Sequence, residues 1–160
     1  MNFVYPANPP LQADEPPVAN DAFFPAILPP DVRNAALLDG TVTAARLRIA
    51  IIEAIDTVNG ELAQWAARQQ AAGHATLSDV PASVIDATSA QVLRYQRAII
   101  ACVQARLAEA NREIDTTPHS DGKADRIREK IEVKVSEHRQ NMRWAISDIL
   151  GIGRTTVELI

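Results

Sequence analysis

Hydrophobic positions recur at helical steps over three long stretches of this chain. In the first, Leu47, Ile51, Ile55, Val58, Leu62 and Trp65 follow at intervals of four, four, three, four and three. Residues three and four apart share one face of an α-helix. The spacing therefore predicts a helix from about Thr43 to Ala72, ended by Gly73 and slightly weakened by Gly60 in its interior. The second stripe is Val92, Tyr95, Ile99, Cys102 or Val103, Arg106 and Ala110, and predicts a helix from about Ser89 to Ile114. The third is Ile127, Ile131, Val135, His138, Met142, Ala145 and Ile149, on a helix from about Lys123 to Leu150 that Gly151 and Gly153 end. Residues 73–88 read as a connector, with a turn at Asp79-Val80-Pro81 and Ser83 as the cap of a single helical turn. Residues Thr116 to Gly122 separate the second and third helices. Asp31 is expected to cap a short helix that runs through Leu38 and ends at Gly40. Long antiparallel helices with short links make a bundle. The predicted fold class is all-α: three long helices plus short ones, over residues 31–153.

Both ends break the pattern. Eight of the ten prolines precede Asp31. Each fixes φ, removes a backbone donor and pushes the residue before it towards extended geometry, so residues 1–30 read as an extended arm. Inside it lies the apolar run Phe23-Phe24-Pro25-Ala26-Ile27-Leu28. Such a run leaves water by docking on the chain's own core or on a neighbour, and the sequence leaves both open. At the other end Arg154-Thr155-Thr156-Val157-Glu158-Leu159-Ile160 is β-branched early and reads as an extended tail, uncoupled from the last helix by Gly151 and Gly153. The candidate partner-binding residues, for docking on another chain, are thus Phe23, Phe24, Ile27 and Leu28 in the arm and Arg154, Val157, Leu159 and Ile160 in the tail. An extended tail can add to a partner's sheet edge through backbone hydrogen bonds.

Composition narrows the function. At 160 residues, 47% hydrophobic and 22% charged, the chain suits one folded domain, and 4% aromatic residues disfavour a ring-packed sandwich or barrel. No apolar run approaches the ~20 residues of a bilayer span, so no membrane partner is expected, and the Pro-broken start is no signal peptide. A single cysteine, Cys102, excludes an internal disulfide and a Cys-based zinc site. The net charge of −4 is concentrated in residues 1–40, where Asp14, Glu15, Asp21, Asp31 and Asp39 face only Arg33. Residues 41–120 carry −1 and residues 121–150 carry +1. Tight nonspecific DNA binding draws on clustered Lys and Arg, so a lone subunit should bind DNA poorly.

Catalytic and metal chemistry find little support. His74, His119 and His138 lack a second His or carboxylate at zinc-motif spacing. Cys102 lies on an apolar helix face and reads as a buried structural thiol. No nucleophile elbow, phosphate loop or dinucleotide fingerprint occurs. No catalytic residue, metal or cofactor is expected. The stretch from Ile149 to Ile160 resembles a helix-hairpin-helix DNA-binding signature through Gly151-Ile152-Gly153, with Val157 and Ile160 at the packing positions. Against it, Thr155-Thr156-Val157 favours a strand, and Gly151 also reads as an ordinary helix end.

A longer pattern resembles the head-completion family of contractile-tailed temperate phages, which act as head-to-tail adaptors. It is carried by Asn20-Asp21-Ala22-Phe23-Phe24-Pro25, Asp31-Val32-Arg33, Thr43-Ala44-Ala45-Arg46-Leu47-Arg48, Ala71-Ala72-Gly73, Leu77-Ser78-Asp79-Val80-Pro81-Ala82, Lys123-Ala124-Asp125 and Met142-Arg143-Trp144-Ala145. The resemblance implies a helical, non-enzymatic virion subunit, assembled in the host cytoplasm. It implies a homo-oligomeric ring below the portal protein, of twelve copies to match it, receiving a tail-side completion or terminator protein. Packaged DNA would pass through the channel without tight binding. A DNA-binding module, or a small terminase-like packaging regulator, is the alternative. The charged face of residues 46–61 or that of residues 123–139 is the expected channel lining, and the sequence does not choose between them.

Overall fold

The computed structural model describes residues 15–38, 40–114 and 123–153. The chain is predominantly helical. Helix α1 spans Pro29–Ala35, α2 Ala44–Ala71, α3 Ala90–Ile114 and α4 Lys123–Leu150. A 3₁₀ turn at Leu77–Asp79 and two two-residue strands, β1 (Val84–Ile85) and β2 (Thr88–Ser89), fill the link between α2 and α3. The long helices fall within a residue or so of the bounds that their apolar spacing predicts.

Local chemistry sets the helix ends. Thr43 caps α2, its hydroxyl accepting the Arg46 N–H at 3.3 Å. At the other end Gly73 takes a φ of 98°, and the His74 N–H reaches back to the Gln69 carbonyl at 3.1 Å. That is the left-handed stop glycine favours. Gly151 does the same after α4: its φ is 70° and the Ile152 N–H returns to the Ser147 carbonyl at 3.0 Å. Helix α1 differs from expectation. It starts at Pro29, with Leu28 as N-cap, and Asp31 sits in its first turn. The reason is that Pro is pre-organised for the first helical positions, where its missing N–H costs nothing. The helix also stops before Leu38. Leu37 adopts φ 52° with its side chain 90% exposed, and the Leu38 N–H bonds the Arg33 carbonyl at 3.0 Å.

The link between α2 and α3 holds a second correction. Ser83 caps no helical turn; its carbonyl accepts the Ala90 N–H at 2.8 Å. The helical turn lies earlier, where Thr76 and Asp79 form a capping box. A tight antiparallel hairpin follows, pairing Val84 with Ser89 and Ile85 with Thr88. Its turn residues Asp86 and Ala87 both have positive φ, 47° and 56°, as type I′ turns require. Asp-Ala carries a weaker turn signal than Asp-Gly, which is why the hairpin was hard to read in the sequence.

Helix α3 is the centre of the fold. Among its described side chains Arg97 alone is exposed. Tyr95, Ile99 and Val103 are fully buried along one edge, and Tyr95 and Arg106 bond Asn59 and Glu53 of α2. A second buried edge, Ala98, Ala101 and Ala105, lies between Arg97 and Glu109, which pair with Asp148 and Arg139 of α4. Both sets of partners run in opposite chain directions, so α2 and α4 each lie antiparallel to α3. The core includes Leu47, Ile51, Ala54, Val58 and Leu62 of α2, Tyr95, Ala98, Ile99, Cys102 and Val103 of α3, and Ala145, Ile146 and Ile149 of α4. Ile55 and Met142 of the predicted stripes pack at its margin, and His138 and Ile131 are half-buried.

Candidate functional site

The most specific chemistry in the structure fastens the arm to the helices. Asn20 donates from Nδ2 to the Tyr95 hydroxyl at 2.8 Å and to the Pro25 carbonyl at 2.9 Å. Tyr95 donates onward to Asn59 Oδ1 at 2.7 Å. Asn59 Nδ2 returns to Asn20 Oδ1 at 2.8 Å, closing a ring of three side chains from arm, α2 and α3. The Tyr95 side chain is fully buried, and that burial pushes its hydroxyl up to about 12. Buried polar groups are costly unless paired, so this closed network tolerates one arm position.

Apolar contacts seal the same joint. Phe24 stacks on Tyr95 with centroids 4.9 Å apart, and Phe23 meets Phe24 and Trp65 edge-on at 5.1 and 6.2 Å. The backbone is tied as well. Val18 and Ile27 exchange hydrogen bonds of 2.8 and 3.0 Å, closing a loop, and the Leu77 N–H bonds the Phe23 carbonyl at 2.8 Å. Asp21 Oδ1 accepts the Phe23 N–H at 2.9 Å and shapes the turn. Glu15 pairs with Arg33 at 2.5 Å, and Arg33 also bonds the Val42 carbonyl at 2.9 Å.

The arm's candidate residues divide between core and surface. Phe23, Phe24 and Ile27 are 1%, 8% and 3% exposed in the chain's own core. Phe23 and Phe24 are taken from water by their ring contacts with Trp65 and Tyr95 of the same chain. Leu28 differs: it is 47% exposed. Arg154, Val157, Leu159 and Ile160 lie outside the described residues. Asn20, Asn59 and Tyr95 had no functional reading in the sequence. The only signal was a tyrosine on a core stripe, whose hydroxyl must find a partner when buried.

Nucleophiles and ligands are sparse. Burial raises the Cys102 thiol, against the opposing pull of Arg106, which makes it a poor thiolate. His138 is lowered by burial. Asp79 is lowered by its hydrogen bonds with the Thr76 hydroxyl and backbone, the capping box already described. Among the described residues no three His, Cys, Asp or Glu side chains cluster to hold a metal. No described helix is long and apolar enough to cross a membrane. Gly151 serves as the stop of α4, which accounts for it without a DNA contact; the rest of the hairpin signature falls outside the described residues.

What remains for partners is surface. Ile49 and Ile52 on α2, Val84 and Ile85 on the hairpin, Val133 on α4 and Ile152 beyond it are each about half or more exposed. From Glu129 to Arg139 the exposed charges of α4 alternate in sign, three acidic (Glu129, Glu132, Glu137) and three basic (Lys130, Lys134, Arg139).

Comparison with known proteins places this surface in context. The family described as phage head completion protein (GPL) matches residues 18–160. The head completion/stabilization protein of Escherichia phage P2 is 40% identical over 147 residues, covering 92% of this chain and 85% of that protein. No solved structure matches the chain significantly.

Proposed function

The chain belongs to the phage head completion protein (GPL) family, and on that premise we propose that it is a head-to-tail adaptor forming a ring below the portal. As a family member it is a structural virion component that completes the head and meets other phage head or tail proteins. The finer reading is that twelve copies match the portal, extend its channel, keep packaged DNA inside and receive the tail-side completion protein. Assembly takes place in the host cytoplasm, and no catalysis is assigned. The observation that carries the reading is the 40% identity to a head completion/stabilization protein across 92% of the chain.

The structure supports the physical side of it. A helical body with residues 15–28 fastened onto it suits a load-bearing ring. The mixed charges of α4 suit a channel lining, since clustered cations would hold DNA phosphates and oppose sliding. Residues 154–160 are the proposed docking tail for the portal. The experiment is a phage lacking this gene, complemented by wild-type or truncated chain. Without the protein, heads should package DNA, then lose it to nuclease and fail to join tails. Complementation with residues 1–153 should fail at portal attachment. Nuclease-resistant, tailed particles formed without the protein would overturn the adaptor reading.

A further inference from the structure

One face of the central helix is left half-open. Leu93, Arg97, Ile100 and Gln104 succeed one another at steps of four, three and four along α3. They line a groove of about 480 Å³ walled by Ala35 of α1 and Asn141 of α4. Past Ile100 the groove leads into a pocket of about 70 Å³ against Leu28 and Asp31. This is the spacing of a helix–helix seam, yet no described helix of the chain fills it.

A helix face of matching character lies elsewhere on the molecule. Ile49 and Ile52 of α2 are 58% and 49% exposed. Asp56 follows four residues on, on the same outward face, and is exposed. Gly60 continues that face in mid-helix, where a Cβ would meet nothing within 4 Å of this chain. Laid antiparallel to α3, this ridge sets Asp56 beside Arg97, Ile52 over Ile100 and Ile49 beside Gln104. Asp56 is complementary to Arg97, whose guanidinium is half-exposed and paired on one side with Asp148 at 2.5 Å. A guanidinium has five donors and can serve a second carboxylate.

The two surfaces cannot meet within one copy. Tyr95 and Arg106 mark the edge of α3 that faces α2. At 100° per residue, Arg97 and Gln104 lie roughly 160° around the helix from that edge. The ridge points away from α3 on the outer side of α2, and the groove opens on the far side of α3. A contact between different patches on two copies is heterologous, and such contacts build rings or filaments.

We propose that the outward face of α2 in one copy seats in the groove beside α3 of the next, as an amphipathic helix fills an apolar groove. This rests on the ring reading above and names the two faces that make the ring. The test places Asp56→Cys and Arg97→Cys in the full chain, singly and together, in heads assembled with the variant. Native Cys102 is buried. On mild oxidation the double variant should give a ladder of dimers, trimers and higher species on a non-reducing gel. A mixture of the two single variants should stop at dimers, and each single variant alone should give none. Ile52→Glu, at an exposed position, should leave the thermal melt unchanged and abolish the ladder, while deletion of residues 154–160 should not affect it. No ladder from variant chains present in the heads would overturn the interface but leave the adaptor reading standing. Dimers from Asp56→Cys alone would show a two-fold α2 contact instead, and a ladder lost on tail deletion would make the tail the groove's occupant. Heads completed without the chain would instead sink the adaptor reading.

Discussion

Replacing Tyr95 by Phe removes one oxygen from the joint between arm and helices. That hydroxyl accepts from Asn20 at 2.8 Å and donates to Asn59 at 2.7 Å, and the residue is 0% exposed, so water cannot take its place. Losing it leaves Asn59 Oδ1 without its donor, while the Asn20–Asn59 bond at 2.8 Å survives. Removing one partner from a buried pair costs ~1–3 kcal/mol. Phe24→Ala, which deletes the ring stacked on Tyr95, should cost more, ~3–5 kcal/mol. For a chain of this size each 1 kcal/mol lowers Tm by ~2–4 °C, so Tyr95→Phe should lower it by a few to about ten degrees. Urea unfolding is best followed by circular dichroism for the helices and by Trp65 fluorescence for the joint, in a Trp144→Phe background. If the arm is part of the core, the two probes share one midpoint in wild type and variant. A loss below ~0.5 kcal/mol, or Trp65 changing at lower urea than the helices, would refute the reasoning. Either result would mean that the arm detaches separately and that its docking contributes little to the fold.

The same hydroxyl predicts a pH dependence. Its folded value of about 12 lies above its ordinary 10, so the unfolded chain loses this proton first. The contribution is fully present below pH 10 and fades as pH rises to about 12. The difference in stability between wild type and Tyr95→Phe should shrink across that window, and a constant difference would contradict the assignment. Leu37→Gly should raise stability by ~1 kcal/mol, because Leu37 holds φ 52° while 90% exposed; a lower melting temperature would argue against that backbone. Ala87→Gly should act the same way by completing an Asp-Gly type I′ turn, read by thermal melting. Leu62→Ala, at a fully buried position, should cost ~2–5 kcal/mol in urea unfolding, and a near-neutral outcome would remove Leu62 from the core.

The three long helices were legible in the sequence because helix formation is written locally. Apolar steps of three and four, Thr43 before α2, and Gly73 and Gly151 after α2 and α4 are signals within a few residues of one another. The all-α class and the absence of motif-level catalytic spacing follow from the same short-range reading. The short elements were less legible. Pro29-Pro30 reads as the end of the extended arm but serves as a helix start, because Pro suits the first helical positions, and Asp86-Ala87 hides its turn because alanine rarely takes positive φ. Which helix is central was beyond the pattern: α3 is buried on two edges, one of them made of alanines that carry almost no hydrophobic signal. The arm's destination was beyond it too. Burial of Phe23 and Phe24 is driven by a force without direction, so their composition could not choose between home core and neighbour. What chose was the ring of Asn20, Asn59 and Tyr95, whose members lie 36 to 75 residues apart in the chain. No spacing rule links them, because hydrogen bonds between separate elements exist only once packing has brought those elements together.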